Sequence, residues 1–374
     1  MARFKSADKK ARQKRRDERA ARRRGHEESK KKKGALREWV DAMVFAIVVM
    51  IVVRTLFFDL FRIPTPSMEN SLLVGDYLFV SKLHYGTRTP MTLGVPFSTW
   101  YVRGVELPWT RIPGFTRVKR GDAIVFNWPA EHGKPIDRKM HYIKRVVGLP
   151  GETVEIINKV VHVDQEPHPL GDAMQQEWYV YKTGDRVRLS RYRLEALDVN
   201  QVDPTSNPRI ERIRATPVAA QEIGTWPYVD RVSPAIAGSG GQYGAHMYPG
   251  DRDYSPDNYG PVAIPQEGKA VTLTAENWPV YEPVISTYEG YSTRVDSSGF
   301  LIDGERTDTY TFAQDYFFVM GDSRDNSEDS RFWGFVPMNH VVGKAVLIYF
   351  SWDADGSPPL FGQIRFGRLA NRIR

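Results

Sequence analysis

The chain of 374 residues contains no cysteine. That excludes a disulfide framework, a thiol nucleophile and any cysteine-ligated metal site. Histidine is sparse too. The eight histidines (26, 84, 132, 141, 162, 168, 246 and 340) are scattered without metal-ligand spacing, so the expectation is no zinc mechanism, no metal and no cofactor. Beyond Phe58 no second hydrophobic run could span a membrane, and long helical periodicity is weak. What replaces it is a series of short apolar runs bounded by Gly, Pro, Asp and Asn, the pattern of a mainly β chain.

The net charge of +7 is unevenly placed. Residues 1–34 hold 16 Lys/Arg against 5 Asp/Glu, a net of +11, which leaves −4 on the remainder. Runs such as Lys30-Lys31-Lys32-Lys33 have no apolar spacing, so the segment reads as a basic tail that is disordered in water. A nucleic-acid arm is one use for it. A cytoplasmic anchor beside a transmembrane helix is the other, and the following residues favour that one.

From Trp39 the composition inverts. Ala42 to Val53 is an unbroken run of 12 apolar residues, and the segment 36–58 reaches membrane length, with Asp41 and Arg54 near its ends. No A-x-A-like cleavage site follows, which argues against a removed signal peptide. The positive charge before it places the N-terminus in the cytoplasm and the rest of the chain on the outer face of a cell membrane, periplasmic or extracellular.

Strands are predicted at Tyr77–Lys82, Ala123–Trp128, His141–Val147, Thr153–Ile157, Val160–Val163, Tyr316–Met320 and Val341–Phe350, with a short helix at Arg191–Val199. The stretch 165–299 is rich in Pro, Gly, Tyr and polar residues and reads as a second β-rich lobe inserted into the first domain. The organisation expected is a tail at 1–34, a membrane helix at 36–58, a catalytic domain in two parts (59–164 and 300–350), the lobe at 165–299 and a basic C-terminal tail at 351–374. Gly238-Ser239-Gly240-Gly241 precedes no helix signal and reads as a flexible loop. Asp251, Asp253, Ser255 and Asp257 alternate as in a calcium loop, but Pro256 and Val262 stand where a glycine and a carboxylate are required, so this reads as a turn cluster.

A serine just past the membrane exit, in Pro64-Thr65-Pro66-Ser67-Met68, is badly placed for packing and well placed to attack a substrate arriving through the membrane. Its base could be His141, although a lone histidine in a strand is usually structural. The other base is lysine, and Tyr142-Ile143-Lys144-Arg145-Val146-Val147 carries one on an otherwise apolar strand. To work at neutral pH such a lysine must fall from about 10.4 to near 7, a difference of roughly 4 kcal/mol that apolar burial can supply.

These two segments, with Arg120-Gly121-Asp122 before Ala123-Ile124-Val125-Phe126, and with Met320-Gly321-Asp322-Ser323-Arg324-Asp325-Asn326-Ser327-Glu328-Asp329-Ser330-Arg331, stand in the order found in one family. The chain resembles bacterial signal peptidase I, the membrane-bound leader peptidase, over the membrane segment, roughly 58–160 and 310–350. The resemblance implies a signal-peptidase-like β fold in which Ser67 is the nucleophile and Lys144 the general base. It implies that the oxyanion is held by the Ser67 N–H and the Thr65 hydroxyl, and that Ser327 holds the lysine amine. Many relatives have serine and then glycine where Thr65 and Pro66 stand. Threonine keeps the donor, and Pro66 stiffens the loop. Asp329 and Arg331 are implied to pin their loop.

Phe61, Ile63, Met68, Leu72, Tyr142 and Ile143 match positions that in the family line pockets for the small residues one and three before the cut. Phe61, Ile63 and Leu72 read equally as core. The partners expected are signal peptides of secretory preproteins and membrane lipid, with no nucleic acid, for a monomer. Two other readings stay open: a self-cleaving Ser/Lys repressor-type protease, which needs a helix-turn-helix domain where the tail and membrane segment stand, and a non-catalytic tethered scaffold or nucleic-acid binder using the tail.

Overall fold

The computed structural model describes residues 35–94, 100–236, 246–297, 299–354 and 362–373; the basic tail and the 237–241 loop lie outside them. Helix α1 (Ala35–Leu56) is the membrane segment. Its stretch Arg37–Leu56, 20 residues at ~1.5 Å each, is about 30 Å long, the thickness of bilayer hydrocarbon. Trp39, Phe45, Ile47 and Val48 are exposed on it, and a helix apolar all round is suited to lipid.

From Thr55 the chain forms one compact unit. Its central sheet has six principal strands: β1 (Phe58–Arg62), β2 (Asp76–Ser81), β3 (Ala123–Asn127), β4 (His141–Gly148), β5 (Tyr316–Met320) and β6 (Val341–Ser351). The spatial order is β1-β2-β6-β3-β4-β5, and each neighbouring pair is antiparallel. Both faces of the sheet are covered. Ala123 and Val125 join a core with Ile63, Met68, Leu72, Leu78 and Ile348, whereas Ile124 and Phe126 join another with Val146, Val319, Trp333 and Val341. Double burial explains why β3 reads as a continuous apolar run instead of an alternating one. All seven predicted strands form, within a residue or two at their ends.

On the far side of β5, Tyr316, Phe318 and Met320 enter a third core with Val154, Val161, Tyr259, Val262 and Ile285. This core is roofed by a second sheet, in which Thr153–Ile157 lies between Tyr259–Ala263 and Val160–Val163. The stretch expected as one inserted lobe therefore divides. Residues 176–234 form a four-stranded sheet with a core of their own, built on Val180, Leu194, Ile213, Ile223 and Trp226. Residues 247–312 instead contribute to the core shared with β5. The predicted helix at 191–199 stops at Glu195, after which Val199 turns inward to that separate core.

The C-terminal segment is also not a trailing tail. Asn371–Arg372 pairs with β6, and Arg368 reaches the fully buried Asp76 carboxylate at 2.6 Å. The aspartate-rich turn closes through reciprocal backbone bonds between Ser255 and Asn258, and Asp257 pairs with Lys159 at 3.1 Å.

Candidate active site

After β1 the chain must turn, and Pro66 supplies a fixed φ at the first position of a one-turn 3-10 helix, Pro66–Met68. The turn closes through the Glu69 N–H to the Pro66 carbonyl (3.0 Å) and the Leu72 N–H to the Met68 carbonyl (2.7 Å). Ser67 stands in its first turn, where a backbone N–H has no intrahelical acceptor. Thr65, exposed and extended (φ −131°), makes no side-chain capping bond. Its hydroxyl and the Ser67 N–H are thus uncommitted to the helix and lie two residues apart in the chain.

Strand β4 delivers the amine. Lys144 Nζ lies 2.7 Å from Ser67 Oγ, although 77 residues separate them. Lys144 is 4 % exposed and Ser67 8 %. Among the described residues no carboxylate comes within ion-pairing distance of Lys144. Burial pushes the amine down to about 8, against the opposing pull of Asp329, Glu328 and Asp322. The Tyr142 ring lies 5.5 Å from Nζ and forms part of the wall.

A cavity of about 360 Å³ opens over the pair. Phe61, Ile63, Leu78, Val125 and Ile143 give it apolar walls, and Thr65, Tyr142, Asn326 and Glu328 also line it. Of the six residues expected to wall the pocket, Phe61, Ile63, Tyr142 and Ile143 do so. Met68 and Leu72 do not. Both are fully buried beneath the turn, because the 3-10 helix that lifts Ser67 to the cavity points its next side chain into the core. Leu78 and Val125 line the wall without having been expected there. Their signal was register: Leu78 pairs with Phe61 and Val125 with Ile143.

His141 also lines the cavity, its ring tilted at 47° against Phe61 with 4.9 Å between ring centres. Burial and the nearby Arg88 push its imidazole down to about 4, so it is neutral across the physiological range. Its Nε2 lies 3.4 Å from Asn127 Nδ2.

The loop between β5 and the short helix Ser330–Trp333 forms the opposite wall, and ion pairs set its shape. Asp329 bonds Arg331 at 2.8 and 2.9 Å and accepts from the Gly321 N–H at 3.1 Å. Asp322 takes a two-point bond from Arg145, at 2.7 and 2.6 Å. Burial alone would lower Arg145; its bonds to Asp322 outweigh that and raise it. Ser327 is the residue expected to hold the lysine amine. Its buried Oγ has no hydrogen-bond partner among the described residues, and sits where a Cβ on Gly321 would be 2.3 Å from it and 2.5 Å from the Ser67 carbonyl. Glycine at 321 is the condition for packing Ser327 and Ser67 on either side of one backbone.

The family described as "Signal peptidase, peptidase S26" matches residues 36–216 and 264–352. Signal peptidase I of Haemophilus influenzae is 28 % identical over 90 % of this chain and 76 % of its own length. That of Aquifex aeolicus is 24 % identical over 87 % of this chain and 88 % of its own. That of Pseudomonas aeruginosa is 25 % identical, over 81 % and 69 %.

Proposed function

Because the chain belongs to the signal peptidase family, peptidase S26, and carries one apolar helix of membrane length, we propose that it is a membrane-anchored serine endopeptidase that removes signal peptides from exported preproteins with a Ser67/Lys144 dyad. The observation carrying this reading is the 2.7 Å approach of a buried lysine amine to a buried serine hydroxyl at the base of a cavity. The N-terminus is assigned to the cytoplasm and the β unit to the outer face, from the charge of the tail.

In the reaction the neutral Lys144 amine accepts the proton of Ser67 as Oγ attacks the scissile carbonyl. The Ser67 N–H and the Thr65 hydroxyl donate to the oxyanion. Lys144, now an ammonium, gives its proton to the leaving amine. It then takes one from the water that splits the acyl-enzyme and returns it to Ser67 Oγ as that oxygen leaves, which restores both groups. Strand β1 pairs only with β2 among the described residues, so its other edge offers backbone N–H and C=O groups to an extended peptide. The apolar walls would hold small side chains before the cut and refuse large ones.

The test is incubation of the detergent-solubilised chain with a preprotein and mapping of the cut. Ser67→Ala and Lys144→Ala should each lower turnover by about 10⁴-fold or more, and together no further, because half of a nucleophile–base pair already stops the step. Robust processing by a folded Lys144→Ala variant sinks the dyad and returns attention to His141.

A further inference from the structure

The turn carrying Ser67 and the loop at 321–331 are far apart in sequence, and the segment that joins them comes from neither. Gln175, immediately before the strand Gln176–Lys182, is 4 % exposed and makes bonds on both sides. Its side-chain carbonyl accepts from Asn70 Nδ2 at 3.3 Å, and its amide donates to Glu69 Oε2 at 3.2 Å. The same amide donates to Ser323 Oγ at 3.1 Å. Its backbone brackets Ser323: the Gln175 N–H donates to the Asp322 carbonyl, and the Arg324 N–H donates to the Gln175 carbonyl, both at 2.9 Å. The Ser323 N–H in turn donates to the Ser67 carbonyl at 3.1 Å.

Glu69 and Asn70 lie two and three residues beyond the nucleophile. Asn70 holds a left-handed φ of 73°, so the exit of the turn depends on external contacts to keep its course. One amide thus ties the exit of the Ser67 turn to the residue that holds the Ser67 carbonyl. A buried amide with donor and acceptor both engaged has one orientation, and displacement of a nucleophile by 1 Å can cost about a hundredfold in rate.

We infer that Gln175 is a positioning residue for Ser67, through which the start of the 176–234 sheet fixes the nucleophile against the loop opposite. It touches neither substrate nor reacting atoms in this role. The inference rests on the proposed Ser67/Lys144 reaction and goes beyond it.

The bonding pattern supplies a reversal test. Gln175→Ala should lower kcat about tenfold and leave KM within about twofold, since the cavity walls are untouched. Gln175→Glu places a second carboxylate against Glu69 and should be at least as slow. The double variant Gln175→Glu with Glu69→Gln reverses that bond, while the introduced carboxylate can still accept from Asn70 and from the Ser323 hydroxyl. It should recover kcat to within about threefold of the parent.

The parent and Ser67→Ala are run beside these variants. A parent that leaves preprotein uncut overturns the reaction on which the inference stands. With the parent active and Ser67→Ala inactive, parental kcat in Gln175→Ala overturns the inference alone. So does a double variant no faster than Gln175→Glu although its thermal unfolding matches the parent's. The second result keeps the inference falsifiable if Gln175→Ala unfolds.

Discussion

Lys144 and Arg145 are neighbours on one strand, equally buried at 4 % and 5 %, and their environments drive them in opposite directions. Arg145 meets Asp322 in a two-point bond, which raises it and keeps its charge. Lys144 meets a serine hydroxyl and an aromatic face, and burial brings it down to about 8. Burial sets the cost of a cation; the partner decides whether that cost is offset or converted into basicity. A strand places successive side chains on opposite faces, so one β-strand can bring a structural cation and a base to different partners with no spacer.

The harshest way to break this comparison is to remove the proposed base and keep its volume. Lys144→Met should lower turnover by about 10⁴-fold or more while leaving the fold at least as stable, because it deletes a buried amine with no carboxylate partner. The sign of the pH effect follows from the lowered value. Unfolded lysine holds its proton up to about 10.5 and the folded one only to about 8. Between these values the unfolded state binds more protons, so the parent's stability rises with pH across that window; below it the burial penalty is present in full. Denaturant melts at pH 8 and pH 10 should show this slope in the parent and not in Lys144→Met.

Breaking the other half should reverse the balance. Asp322→Asn removes the carboxylate that meets the buried Arg145 at two points and should cost on the order of 3 kcal/mol of stability, measured by chemical unfolding. Any loss of activity should follow from the unfolded fraction and the slackened loop. Unchanged stability would mean that the pair is not what sets this loop.

The gentlest change sharpens the comparison. With Lys144 required neutral, kcat/KM should fall as pH drops below about 8. Ile143→Ser admits water beside the amine, which should raise that limb by a few tenths of a pH unit and weaken the preference for Ala over Leu before the cut. If neither the limb nor the preference moves, Ile143 is ordinary core.

Much of this was legible in the sequence because the signals are local. A run of apolar residues of bilayer length, short apolar runs between turn residues and a serine behind Pro-Thr-Pro need only neighbours to be read. The pocket was less legible. Met68 and Leu72 have the composition of pocket residues and are core, because a single turn of 3-10 helix sends Ser67 and Met68 different ways. Leu78 and Val125 line the pocket through cross-strand register with Phe61 and Ile143, which composition does not reveal. The lobe at 165–299 divides for a similar reason: the surface of β5 is apolar on both faces and recruits residues 247–312 as cover.

Residue type and short-range order suffice to specify the membrane helix, the mainly β class and Ser67 as a candidate nucleophile with His141 or Lys144 as its base; the choice of Lys144 came from the family resemblance. The folded chain alone brings the amine within bonding distance of the hydroxyl, gives the aspartate to Arg145 and not to Lys144, and sets Gln175 between the Ser67 turn and the loop at 321–331. Those facts depend on pairings across 77, 177 and 148 residues, where chain connectivity imposes no distance and packing alone selects the partner.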